Sequence, residues 1–198
     1  MRWGLIICLS FLLSIPAGHG LAQQATNPAQ HPDPPKLPFI RKPACPFEGC
    51  MYGKWVLKAP TTLFESPRYD SNVIAQLNTN DPVEALTGEI HTTRYGEIKV
   101  LKRVKIHSNE GELEFKAGDI LYDMEEFGEG EHSIWFQGRI YIIRAGWITA
   151  NSWMPDEFVW GKMTVERITD WWVRIRVPSS GISGWIVNPR ADGNDRFG

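Results

Sequence analysis

Five acidic side chains, Asp123, Glu125, Glu126, Glu129 and Glu131, crowd around Gly128 and Gly130, and carboxylates gathered in a loop are the ligands that calcium takes. Their spacing departs from the D-x-D-x-D-G order of the twelve-residue calcium loop, so a solvated acidic loop is expected. The same Gly-x-Gly lacks the third glycine of a dinucleotide fingerprint, with Ser133 in its place. His91, His107 and His132 are scattered and form no H-E-x-x-H pair, which excludes that metallopeptidase signature. Gly181-Ile182-Ser183-Gly184-Trp185 sets a serine among glycines, but Gly184 comes one place too early for a hydrolase elbow. Any two of the 23 acids could be picked as a glycosidic pair, so composition singles out none. No catalytic residue, metal or cofactor is expected.

Cys45 and Cys50 are closer to a definite chemistry. Four residues separate them in CPFEGC, where a redox pair usually has two and a zinc site needs two further ligands. A local disulfide is expected, constraining the unfolded chain by about 2 kcal/mol at most. Of the nine tryptophans, all but Trp3 and Trp55 lie at or beyond Trp135, and exposed rings of this kind stack on sugars, prolines or extended peptides. Trp171 and Trp185 are expected in a core. Trp172 shares a polar face with Arg174 and Arg176, which makes Trp172 and Arg174 the leading candidates for ligand contact; Trp135, Trp147, Trp153 and Trp160 complete the candidate set. Lys99, Lys102, Arg103 and Lys105 read as the wet face of a strand. With a formal net charge of −2, bulk attraction to nucleic acid is not expected.

The elements that must hold these groups are strands. In Trp171, Val173, Ile175 and Val177 the apolar side chains fall on alternate residues, the period of a strand with one dry side. Pro178 to Gly181 supply turn chemistry, and Ile182 to Val187 resume the apolar run, so 171–188 reads as a hairpin. At the other end, Met1-Arg2, the apolar run Leu5 to Ile15 and the small residues Gly20 and Ala22 read as an export signal cut after Ala22, leaving no membrane-spanning segment. Residues 23–44, rich in proline, read as an extended linker. From Tyr52 onward, short apolar groups alternate with turn signals near every ten residues, the spacing of an all-β domain. Ile134-Trp135-Phe136 and Ile140 to Ile143 read as a hairpin around Gln137-Gly138; Gly146 to Lys162 is less regular, with a short helical turn at 154–158.

W-x-R-x-R from Trp172, the glycine-containing turn and Gly184-Trp185-Ile186 resemble the closing hairpin of bacterial Src-homology-3-like domains. The order Thr62-Leu63-Phe64, Ser66-Pro67, Val73-Ile74, Leu77, turn, Val83 to Leu86 resembles the opening half of the same family. Leu77 to Leu86 can be laid on Phe115 to Met124 as a repeat, with Ile98-Lys99-Val100 then matched to Val173-Arg174-Ile175. The resemblance implies an all-β chain of two small Src-homology-3-like barrels, the second enlarged by an insertion. Residues 45–104 would form the first barrel and 105–190 the second, ahead of a flexible tail at 191–198. It further implies non-catalytic recognition in the periplasm or outside the cell, of a cell-wall component or an envelope protein. The alternatives are a scaffold or inhibitor subunit of an envelope complex and an envelope hydrolase with an unrecognised carboxylate pair.

Overall fold

A computed structural model describes residues 33–128, 130–144 and 159–194. The expected export signal, Trp147, Trp153 and the helical turn at 154–158 lie outside the described residues. Every regular element described is a strand. In chain order these are β1 (Phe39–Arg41), β2 (Gly53–Leu57), β3 (Thr61–Phe64), β4 (Val73–Leu77), β5 (Pro82–Arg94), β6 (Gly96–Val100), β7 (Val104–Ser108) and β8 (Gly111–Phe115). They continue as β9 (Ile120–Gly128), β10 (Glu131–Phe136), β11 (Arg139–Arg144), β12 (Gly161–Val165), β13 (Ile168–Arg176), β14 (Ser183–Val187) and β15 (Ala191–Asp192). Two β-sheet domains result, one of them curled into a half-barrel.

The hairpin at the C-terminal end forms as its alternation requires. β13 and β14 pair antiparallel from Trp172↔Val187 to Arg176↔Ser183. Trp171, Val173, Ile175 and Ile186 point inward onto Trp55, Leu57, Leu63, Leu77, Val83 and Ile90. Trp185 follows the opposite phase: with Ile186 inside, it must face outward, and it is half-buried there, not in the core.

The division of the chain at Val104 does not hold. β13 pairs not with strands of the later segment but with β5, over Ile168↔Arg94 to Arg176↔Glu84, so the first sheet runs β15-β2-β5-β13-β14-β3-β4 with β1 added to β5. The second sheet, β12-β6-β9-β10-β11-β7-β8, lies wholly between β5 and β13 in sequence and is built around Ile98, Val100, Phe115, Leu121, Ile134, Phe136, Ile143 and Trp160. The hairpin β10–β11, paired on β9, already occupies in this sheet the place that β13–β14 would have taken.

Strand by strand, the two sheets have the same order. The likeness reaches individual hydrogen bonds. The Asn78 N–H donates to an Asp81 carboxylate oxygen at 2.7 Å, and the Lys116 N–H to Asp119 at 2.8 Å. Asn80 and Gly118 both take positive φ in these turns, a conformation that asparagine and glycine tolerate best. Both then donate to a neighbouring strand, Asn80 to the Leu57 carbonyl and Gly118 to the Val100 carbonyl. The match of Leu77–Leu86 to Phe115–Met124 is therefore a match of structure. That of Ile98–Val100 to Val173–Ile175 is not: Val100 corresponds to Leu57.

Residues 35–44 do not behave as a linker. The Tyr95 hydroxyl donates to the Pro35 carbonyl at 3.0 Å, β1 pairs with Ile90 to Thr92 of β5, and the Ala44 N–H donates to the Gly88 carbonyl at 2.9 Å. Edge pairing satisfies backbone groups that a free segment would leave to water. Arg41 of this strap forms an ion pair with Glu125 of β9, and Thr92 donates to the Met124 carbonyl at 2.7 Å, tying the two sheets together. Burial of Glu125 raises its pKa above the usual carboxylate value, outweighing the lowering by Arg41. A disulfide joins Cys45 and Cys50, whose Cα atoms are 5.9 Å apart, against the core of the first sheet. Its loop carries Phe47 edge-on against Trp171, with centroids 5.8 Å apart.

Candidate functional site

The outer face of β13 carries Asp170, Trp172, Arg174 and Arg176 in a row, as the two-residue period dictates. Trp172 is nonetheless only 1% exposed. The end of β3 and the loop after it cover the ring: Phe64 of β3 and Tyr69 of the loop meet it edge-on at 5.6 and 5.1 Å, and His91 of β5 lies at 6.2 Å. The indole is covered because the polar face of this strand is roofed by aromatics from elsewhere in the chain.

What remains open is a small pocket of about 170 Å³ with Trp172 as its floor and Pro38, Pro67, Tyr69, His91 and Asp170 among its walls. Tyr69 is 62% exposed, so its ring is the part that a ligand would meet. Its hydroxyl donates to Asp170 at 3.0 Å. Asp170 also accepts from the Asn188 side chain at 3.0 Å. The His91 Nε2 is 2.9 Å from a Glu89 carboxylate oxygen.

A second pocket adjoins the first on the same face. Arg174 and Trp185, cross-strand partners, line it with Thr87 and Glu89 of β5 and with Lys42 and Pro43 of the strap; it encloses about 350 Å³. Arg176, one step further, is paired with Glu84. Thus the structure brings Trp172 and Arg174 into neighbouring pockets and adds Tyr69, His91, Trp185, Lys42 and Pro38. Tyr69, Pro38 and Lys42 were hidden because they come from the loop after β3 and from the strap, and His91 and Trp185 because their place depends on which strands flank β13.

The remaining candidates go elsewhere. Trp160 is 2% exposed and stacks on Phe115 at 5.9 Å in the core of the second sheet. It belongs to packing, not to a binding surface. Trp135 is half-buried on β10, in the second sheet, opposite Tyr122. Asp123 of the acidic stretch is buried, accepting from His132 at 3.0 Å and pairing with Arg167. The expectation of a solvated loop therefore fails for Asp123 and Glu125, which are buried on strand β9. Among the described residues, no three or more His, Cys, Asp or Glu side chains are grouped to hold a metal ion. No helix among those residues is long and apolar enough to cross a membrane.

Burial raises the pKa of Tyr52, Tyr69 and Tyr95 above the usual phenol value, and for Tyr69 the hydrogen bond and charge of Asp170 add to it. The folded protein then holds more protons than the unfolded chain once pH passes the ordinary value of 10.0. The stability these phenols contribute is complete below that value and falls as pH rises through their folded pKa values. Titration followed at the tyrosinate absorbance band should therefore show these three ionising above the ordinary phenol value, together with alkaline unfolding. A single transition at the value of free tyrosine, with no loss of structure, would contradict the raised values of all three.

The chain matches no protein-family model, no curated protein and no solved structure.

Proposed function

We propose that the protein is a non-catalytic recognition module of the cell envelope, built of two Src-homology-3-like barrels, and that it binds an extended peptide across the outer face of β13. The observation that carries this reading is the Trp172-floored pocket with the exposed Tyr69 ring at its rim. Shallow aromatic pockets on a rigid sheet take proline or aliphatic side chains of extended chains, because ring faces supply contact area at low entropic cost. The family resemblance supports it from the sequence side. Its opening half, Thr62 to Leu86, and its closing hairpin, Trp171 to Asn188, belong to the same sheet. The barrel is discontinuous, with the second placed between its halves.

Sedimentation with purified wall sacculi tests the reading. Wild-type protein should pellet with the sacculi, and Tyr69→Ala should weaken that binding about tenfold, the loss expected of a central aromatic contact. Tyr69 is chosen because its ring is 62% exposed. Absence of pelleting at every salt concentration would reject wall recognition. One observation favours the scaffold alternative: Val73 and Ile74, 56% and 41% exposed, lie on the edge strand β4, where a partner's strand could add. Recovery of the protein from envelope extract in a stoichiometric complex that survives Tyr69→Ala would favour it.

A further inference from the structure

The two arginines on the outer face of β13 have different surroundings. Arg176 stands opposite Glu84 and is paired with it. Arg174 stands opposite Thr87 on one side and Trp185 on the other. Among the described residues no carboxylate pairs with Arg174, and its side chain is exposed. Lys42 reaches the same pocket from the strap, with its Nζ 3.5 Å from Glu89. That carboxylate is shared with His91, at 2.9 Å. Two cations thus face one acid that is already engaged. At the other end of the row, Asp170 is occupied by Tyr69 and Asn188. The face therefore has a polarity, running from acid through an apolar floor to an unpaired guanidinium.

Resting on the recognition reading above, we propose that the Arg174 pocket is a carboxylate subsite. The ligand would be an extended peptide with an apolar side chain against the exposed Tyr69 ring in the Trp172-floored pocket and an acidic group, a side-chain or terminal carboxylate, at Arg174. The spacing follows from the strand. Trp172 and Arg174 are two residues apart on one face, roughly 7 Å at the rise of a β-strand, the distance between residues i and i+2 of an extended ligand. The planar guanidinium beside an indole suits a carboxylate, which it can take by two parallel hydrogen bonds. Lys42 adds charge without fixing geometry. Because Lys42 and Pro38 both belong to the strap, the strap forms one wall of each pocket and completes the face.

A random hexapeptide display library, panned on the immobilised full chain and on its variants, tests this. Selected peptides should carry Asp or Glu two positions from an apolar residue, enriched at least fivefold over the starting library. Arg174→Glu should abolish the acidic preference and keep the apolar one. Arg174→Lys should retain part of the acidic preference. Tyr69→Ala should lose the apolar preference first. Each variant alters an exposed side chain, and an unchanged cooperative melt confirms that it is folded. Apolar selection without acids, or acidic enrichment that survives Arg174→Glu, overturns the carboxylate subsite and leaves peptide recognition standing. Failure of any sequence to rise above the starting library overturns both.

Discussion

Trp172→Ala should destabilise the protein by about 3–5 kcal/mol, the range for truncating a buried large aromatic. Although Trp172 sits on the outer face of its sheet, it is 1% exposed and packs against Phe64, Tyr69 and His91. Removing it leaves a cavity that the neighbouring strands, fixed by their pairing, cannot close. The melting temperature should fall by roughly 6–20 °C, at about 2–4 °C per kcal/mol for a chain of this size. Calorimetry or urea unfolding measures it, and a loss below about 1 kcal/mol would show that the indole is not the floor of a closed cluster. The consequence for binding work is direct. Loss of ligand in Trp172→Ala would report unfolding as readily as lost contact, so Tyr69 and Arg174 are the positions at which recognition is cleanly probed.

Gly184→Ala should cost about 3 kcal/mol, at the upper end of ordinary overpacking penalties. A methyl group there would lie 2.5 Å from the Phe64 carbonyl oxygen and 2.9 Å from both Ile74 Cδ1 and Leu63 Cγ. The first of these is backbone, so relief requires β3 to move away from β14, and this contact is where Trp185 pairs with Phe64. The same β3 segment covers Trp172, so strain at Gly184 should also loosen the pocket. Ser183→Ala, at an exposed neighbouring position, is the control and should stay within about 0.5 kcal/mol. Equal stability of Gly184→Ala and Ser183→Ala would show that the close crossing of β3 over β14 is absent. In this light the glycine of the Gly-Trp-Ile sequence is a matter of clearance and not of backbone flexibility.

Much of the architecture was legible because it is written in local period. The alternation of Trp171, Val173 and Ile175 located a strand and its dry side; the turn at Pro178 to Gly181 joined it to its partner. Cys45 and Cys50, too close to be anything but a local clip or a short-range site, form the disulfide. The turn at Asn78 to Asp81 found its duplicate at Lys116 to Asp119 because both need an acid in the last position and a residue that tolerates positive φ before it. Less was legible of the candidate site. Trp172 and Arg174 were placed on one face correctly, but nothing in their spacing tells that Tyr69, a hundred residues earlier, lies over the indole. Nor does a proline-rich composition tell that Phe39 to Arg41 will find an open strand edge to pair with.

By itself, then, the sequence determined that this is a chain of strands, which side of β13 is apolar, where the turn at Pro178 to Gly181 falls and which cysteines join. Those properties depend on side-chain type at separations of a few residues, where the backbone leaves little choice. Only the tertiary structure decided which strands are neighbours: that β13 crosses an intervening sheet to reach β5, that the strap lies on β5, and that Arg176 is neutralised while Arg174 is not. Pairing between distant strands is selected by the joint burial of their inner faces, Trp171, Val173 and Ile175 with Trp55, Leu63 and Ile90. That is a property of the assembled core, and no single segment carries it.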